Sequence, residues 1–244
     1  MASQYEASRA AERRYASRLK KLARTIAKII KEHIDGNTLR DVDEMMRKLQ
    51  QYAEQLDEWA KKTAALFIGD TSRTNEKAWV AHSKKLRKQL RSAMAKGTIG
   101  LTARQLQDQQ VTLIKSLPIE AGRRAQQLAQ EAMMDSTRAA DLSKRLLETE
   151  RITKNRATLI ARTEIAKANA AMTRSRAQFV GVTHYIWRTA QDGDVRPSHQ
   201  AMEGQVCEFA SPPMVEGEGF HHPGEIYNCR CYAEPVLTDD EDAQ

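Results

Sequence analysis

VTHYIWRT, residues 182 to 189, is where the chain changes period. Thr183, Tyr185, Trp187 and Thr189 alternate with Val182, His184, Ile186 and Arg188, which is the pattern of an extended strand with one aromatic face. Before Gly181 the periodicity is helical. Those residues are rich in Ala, Leu, Lys, Arg, Gln and Glu, and they hold one of the six prolines, a composition that favours helix. The switch predicts an α+β fold that is predominantly α-helical: long N-terminal helices, as a bundle or as arms, and then a small mixed α/β module.

Charge changes at the same place. Through Gly181 there are 36 Lys and Arg against 20 Asp and Glu, a net of +16, whereas from Val182 onward 3 Arg face 12 acids, a net of −9. Five of the six prolines, four of the six histidines and all three cysteines also follow Gly181. MASQYEASRAAERRY at the N-terminus has no apolar core of the kind a signal peptide carries, and no stretch approaches the roughly 18 apolar residues of a membrane span. The expectation is a protein made in the cytoplasm and used there or in something assembled there, with no membrane partner. An odd number of cysteines in a reducing compartment argues against a disulfide scaffold.

Working back from the strand, Tyr15, Leu19, Leu22, Ile26, Ile29 and His33 form an apolar stripe at alternating spacings of four and three. The turn Asp35 to Thr38 ends it, and Thr38 with Asp41 reads as a capping pair for a second helix with its own stripe, Leu39, Val42, Met46, Leu49, Ala53, Leu56 and Ala60. Together they predict an antiparallel helical hairpin. Breaks are expected at Gly69-Asp70-Thr71-Ser72, at Lys96 to Gly100 and at Leu117-Pro118, which leaves helices over 73–95, 103–116, 119–148 and 154–180.

Working forward, Gly181 reads as a helix C-cap. Gln191 to Asp194 supplies a turn, and VRPSHQAMEG places Pro197 at the start of a short helix closed by Gly204. The module of about 55 residues has few large apolar groups and is marginal without a staple. HHPGEIYNCRC, residues 221 to 231, offers one. Zinc in a structural site takes four thiolate or imidazole ligands. Cys229 and Cys231 can both ligate if the backbone turns between them, His222 can return across the Pro-Gly loop, and His199 on the short helix is the best fourth. The plainer alternative is that His221 and His222 are solvated loop residues and the two cysteines small buried groups. His184 reads as a strand-surface residue and Cys207 as a core thiol.

LIARTEIAKANAAMTRSRAQ (159–178), YIWRTAQDGDVRPSHQAMEGQ (185–205) and HHPGEIYNCRCYAEPV (221–236) together resemble the C-terminal module of phage minor head proteins, the head-morphogenesis or Mu F-like family. The shared elements are the ARTE helix, a strand ending in Trp and Thr, Asp-x-x-Val-Arg-x-x-His with a following Gly, and a closing His-Pro with Asn-Cys-Arg-Cys. The resemblance covers residues 155 to 237. It implies a minor head module over 151–237 with the zinc site, while composition gives a basic helical region over 1–150, which matches no pattern of the family, and an acidic tail over 238–244. Some relatives have a CxxC where this chain reads Arg196 to His199, which puts His199 at a ligand position. The PGEIYN loop is longer than in many relatives, which leaves the choice between His221 and His222 open, with His222 expected.

The role implied is that of a structural, non-enzymatic protein of a tailed phage at the portal vertex inside the capsid, supporting head assembly, DNA packaging or delivery. The implied partners are the portal protein, a major capsid or scaffolding protein, and packaged double-stranded DNA bound without sequence preference; the place is the virion, after host cytoplasm. Two other classes compete: a metal-dependent nuclease or toxin-like enzyme built on Asp192, Asp194 and His199, and a free nonspecific DNA-binding protein. Arg162 and Glu164 of the ARTE helix are expected to anchor helix to module as an ion pair.

Overall fold

The computed structural model describes residues 5–35, 38–82, 98–134 and 142–237. The chain is α+β and predominantly helical, as composition requires. Helices α1 (Arg9–Lys31), α2 (Val42–Gln55), α3 (Asp57–His82), α4 (Thr98–Met134) and α5 (Leu142–Val180) precede the module. Between α1 and α2 lie the paired two-residue strands β1 (Ile34–Asp35) and β2 (Thr38–Leu39). The expected capping pair is corrected here. Thr38 sits in β2 opposite Asp35, and Asp41 alone caps α2, in the left-handed conformation with its carboxylate accepting from Glu44 N–H at 3.0 Å.

The chain divides into two compact units. One comprises Arg13–Leu66 and Gln107–Ala161. Its core takes Tyr15, Leu19, Leu22 and Ile26 from α1, with Ile30 buried in preference to Ile29, and Met45, Leu49 and Ala53 from α2. Tyr15 donates its hydroxyl to Gln110 Oε1 at 2.8 Å, Lys115 reaches Asp57 at 2.9 Å, and Lys31 reaches Glu150 at 3.3 Å.

Three expected helix boundaries are absent. α3 runs through Gly69 to Ser72, because Ala60, Ala64, Phe67, Ile68, Thr71, Asn75, Ala78 and Trp79 keep a continuous buried stripe. A glycine inside a helix costs only about 1 kcal/mol against alanine. The expected 73–95 helix is therefore the end of α3 as far as His82, and its remainder lies outside the described residues. α4 passes through Pro118, since Ile114, Leu117, Ala121, Ala125 and Leu128 bury one face across it. Five buried aliphatic groups outweigh the roughly 3 kcal/mol a helical proline costs. α5 starts at Leu142 instead of residue 154, because Leu142, Leu146, Thr149, Thr153 and Ala157 keep one buried face; the Thr149 and Thr153 hydroxyls donate to the carbonyls four residues back, at 3.4 and 2.7 Å. Residues 135–141 of the expected 119–148 helix, the Lys96-Gly97 part of the loop and the 238–244 tail lie outside the described residues.

The other unit comprises Met1–Glu12, Phe67–Leu106 and Arg162–Gln244. Arg176 is fully buried there, where loss of solvent pulls its guanidinium down to about 10. It donates to Asn75 and to Ser72 O and Oγ; Asn75 donates in turn to Asn169 Oδ1 and Thr173 Oγ, and Asn169 to Tyr5 O. This polar ladder fixes α3 against the end of α5, from which the module begins. Gly181 ends α5 at φ 78°, with Val182 N–H bonded to Ala177 O. Strand β3 (His184–Arg188) is the centre of a three-stranded antiparallel sheet, between β4 (Val206–Glu208) and β7 (Tyr232–Pro235). Tyr185, Trp187 and Thr189 are buried and His184 and Ile186 are not, so the alternation is seated as the sequence implies. The short helix α6 (Pro197–Gln200) follows the Asp192 turn, and the hairpin β5 (Met214–Val215) and β6 (Gly219–Phe220) precedes the HHPGEIYNCRC loop.

Candidate metal centre

β3 sends Trp187 inward, and α6 lays His199 against it edge-on, the ring centroids 5.6 Å apart. The loop before β7 brings both cysteines to the same imidazole. His199 Nδ1 lies 3.5 Å from Cys229 Sγ and 3.4 Å from Cys231 Sγ, and Cys231 N–H points at Cys229 Sγ at 3.4 Å. All three side chains are buried, and their ligand atoms fall within 4.8 Å of one another. The α5 side of the module holds this turn in place. Thr163 Oγ accepts from Asn228 N–H at 3.1 Å, Arg162 donates to Asn228 Oδ1 at 3.3 Å, and Asn228 takes φ 55°, turning the chain into Cys229. Arg162 also reaches Glu12 at 3.5 Å, and Glu164 lies 3.6 Å from Lys167. Gly224 lets the loop approach α5: at φ 85°, a Cβ there would sit 3.0 Å from Cys231 O and 3.3 Å from Ala166 O.

Electrostatics favour an ionised sulfur. The Cys231 contact, then the His199 ring and two backbone N–H groups, hold Cys229 well below the ordinary thiol range against the opposing effect of burial. Burial resists a charge on His199, but contact with Cys229 and the Glu218 carboxylate outweigh it and raise its pKa. A thiolate paired with an imidazole is the donor chemistry that a borderline divalent cation takes. Glu218, from the β5–β6 hairpin, approaches His199 Nε2 at 3.2 Å and is itself held by Ser198 Oγ at 2.5 Å and Arg196 at 3.6 Å.

The structure thus brings together His199, Cys229 and Cys231 of the four residues read from the sequence. His222 stands apart from that group. Tyr185 OH and His222 Nδ1 are 2.9 Å apart, the His222 N–H donates to Glu225 at 2.9 Å, and burial first of all lowers its pKa. His221, beside Trp187 and 5.6 Å from the His199 ring, forms a second group with His199 and Glu218. Glu218, Thr163 and Asn228 are the participants sequence reasoning missed; the GEG and ARTE segments carried no spacing cue to them. Cys207 is buried opposite Tyr185 in the β3–β4 ladder, and His184 is on the surface near Glu208. Asp192 and Asp194, the acids of the nuclease alternative, both reach Arg230, at 2.5 and 3.2 Å, and belong to neither potential metal group among the described residues.

The family described as Phage Mu protein F like protein matches residues 84–234, more than half of the chain. The chain belongs to that family. An uncharacterized protein of Haemophilus influenzae (strain ATCC 51907 / DSM 11121 / KW20 / Rd) is 36% identical over 131 residues, 54% of this chain and 28% of that protein. The chain therefore spans little more than a quarter of that relative's length. No solved structure matches. Among the described residues, no helix is long and apolar enough to cross a membrane.

Proposed function

We propose that this Mu F-like protein is a structural minor head protein that acts at the portal vertex inside the capsid of a tailed phage, in head assembly, DNA packaging or delivery. The family match across residues 84–234 carries this reading. The portal protein is its principal partner, with major capsid or scaffolding protein as further contacts. Residues 151–237 act as the family module, the region before them as a basic helical part that neutralises packaged DNA phosphates without reading sequence, and residues 238–244 as an acidic tail. Zinc at His199, Cys229 and Cys231 is the module's staple, supported by their burial and mutual approach. It would close the loop onto α6 beside the buried cluster of Tyr185, Trp187, Met202 and Phe209, adding to the stability of a core larger than the sequence suggested. The nuclease alternative gains no support, because Arg230 occupies both acids.

The test is assembly. The protein is expected to co-purify with the portal protein and to remain in heads after they fill with DNA. Recovery of free protein alone, with none in purified heads, would remove the minor-head reading.

A further inference from the structure

We propose that His199, Glu218 and His221 form a separate site for a divalent cation that takes nitrogen and carboxylate donors, with His199 ligating through Nε2, the ring nitrogen that does not face Cys229 and Cys231. This site goes beyond the zinc reading above and does not depend on it.

The three side chains come from α6, from the turn of the β5–β6 hairpin and from the residue after β6, and one ligand atom of each lies within 4.8 Å of the others. His199 Nε2 is 3.2 Å from Glu218 Oε1, close to the roughly 3.4 Å that separates two donors on a tetrahedral zinc ion. Yet this nitrogen is buried and makes no hydrogen bond among the described residues, and His221 Nε2 is buried and unpartnered in the same way. Buried polar atoms are nearly always paired. Two orphaned imidazole nitrogens beside one carboxylate are accounted for together by a cation between them.

Both rings have their other nitrogen occupied. His221 Nδ1 lies 3.2 Å from the His222 carbonyl, which only accepts, so Nδ1 carries the hydrogen and Nε2 the lone pair. His199 Nδ1 faces Cys229 and Cys231 at 3.5 and 3.4 Å, and a hydrogen donated there leaves its lone pair at Nε2 as well. Metal-ligating imidazoles characteristically give their other N–H to such an acceptor, which fixes tautomer and orientation. Glu218 is held by Ser198 Oγ at 2.5 Å and by Arg196 at 3.6 Å, and it is partly exposed, so water can fill the remaining coordination positions. Two imidazoles and one carboxylate with open positions suit iron(II) and manganese(II), whereas thiolates select softer ions. A neutral ring has one lone pair, so His199 serves this site or the sulfurs, and not both at once.

The experiment is manganese(II) titration of the metal-depleted full chain, read by loss of the free ion's paramagnetic resonance signal. Manganese(II) is the probe because it favours carboxylate over thiolate donors. The unaltered chain is expected to take up one tight equivalent. Glu218→Gln keeps the side chain's shape and still accepts from Ser198; loss of a direct ligand exceeds loss of an outer-shell partner, so it is expected to weaken binding by more than about 100-fold, and His221→Ala likewise. Spin-echo modulation from two imidazole nitrogens on the bound ion reads the same ligands without any variant, and so guards against a folding defect. No uptake by the unaltered chain, equal uptake by Glu218→Gln, or absence of the imidazole modulation overturns the site. Cobalt(II) reports the sulfurs separately through thiolate charge-transfer bands: if these are missing while manganese(II) binds, the zinc reading falls and this site stands; if they are present and manganese(II) does not bind, the reverse holds.

Discussion

His221 and His222 are covalent neighbours whose rings meet different surroundings, the first beside Trp187 and His199, the second against Tyr185. Spacing along the chain identifies such a doublet as able to ligate and carries no information on what each ring meets. That is decided by the strand beneath, because alternate residues of β3 present Tyr185 to one histidine and Trp187 to the other. The cysteines were easier to read, since a Cys-Arg-Cys turn beside a closing strand puts both sulfurs on the inner side only if the intervening residue points out, as the half-buried Arg230 does. Their roles separate by substitution. Cys229→Ser is expected to release the metal and to unfold the module from about residue 182 onward. Cys207→Ser places a hydroxyl among Tyr185 and its neighbours, at a cost of about 1–3 kcal/mol, and leaves metal content unchanged. Metal analysis combined with the near-ultraviolet circular dichroism of the module's aromatic residues checks both, and equal metal loss in the two variants would contradict the distinction.

Elements were legible where one period ran without interruption. The Tyr15 to Ile26 stripe and the Tyr185 to Thr189 part of the alternation are seated as read, because burial of one face is the same physics that made the pattern visible, while Thr183 before the strand is exposed. Boundaries were misread wherever a helix-breaking residue fell inside a continuous buried face. Gly69, Pro118 and the Thr149 to Thr153 segment each disfavour helix by a few kcal/mol at most, and the tertiary burial that outvotes them cannot be seen in a local window. Gly69 supplies a direct test. A turn needing glycine would be damaged by a side chain, whereas in α3 an added Cβ at Gly69 meets nothing within 4 Å. Gly69→Ala is therefore expected to stabilise the protein by about 1 kcal/mol in denaturant unfolding. Destabilisation of the same size would restore the break.

At the scale of the whole chain, net charge is the feature written most plainly in the sequence, +16 through Gly181 and −9 beyond it, and it sets the last expectation. α1 alone exposes Arg13, Arg14, Lys21, Arg24 and Lys28. Cations on a helix surface that meet duplex DNA displace condensed counterions, so affinity should fall linearly in the logarithm of salt concentration, by about 0.9 of a log unit per tenfold salt for each phosphate contacted. Binding to unrelated duplexes should be of equal strength, because the charges carry no base-reading arrangement. Replacing Lys21, Arg24 and Lys28 with glutamine should lower the slope by about 0.9 for each of the three that contacts phosphate, with helix content unchanged. The acidic module works in the other direction: its repulsion of DNA is also screened, so a chain lacking charge only in α1 should bind more weakly at low salt and converge with the unaltered chain at high salt. Fluorescence anisotropy on two duplexes of different sequence across a salt series measures every one of these quantities. A slope near zero, or a strong preference for one duplex, would mean that the basic helices serve to solvate the protein or to meet a protein partner instead of DNA.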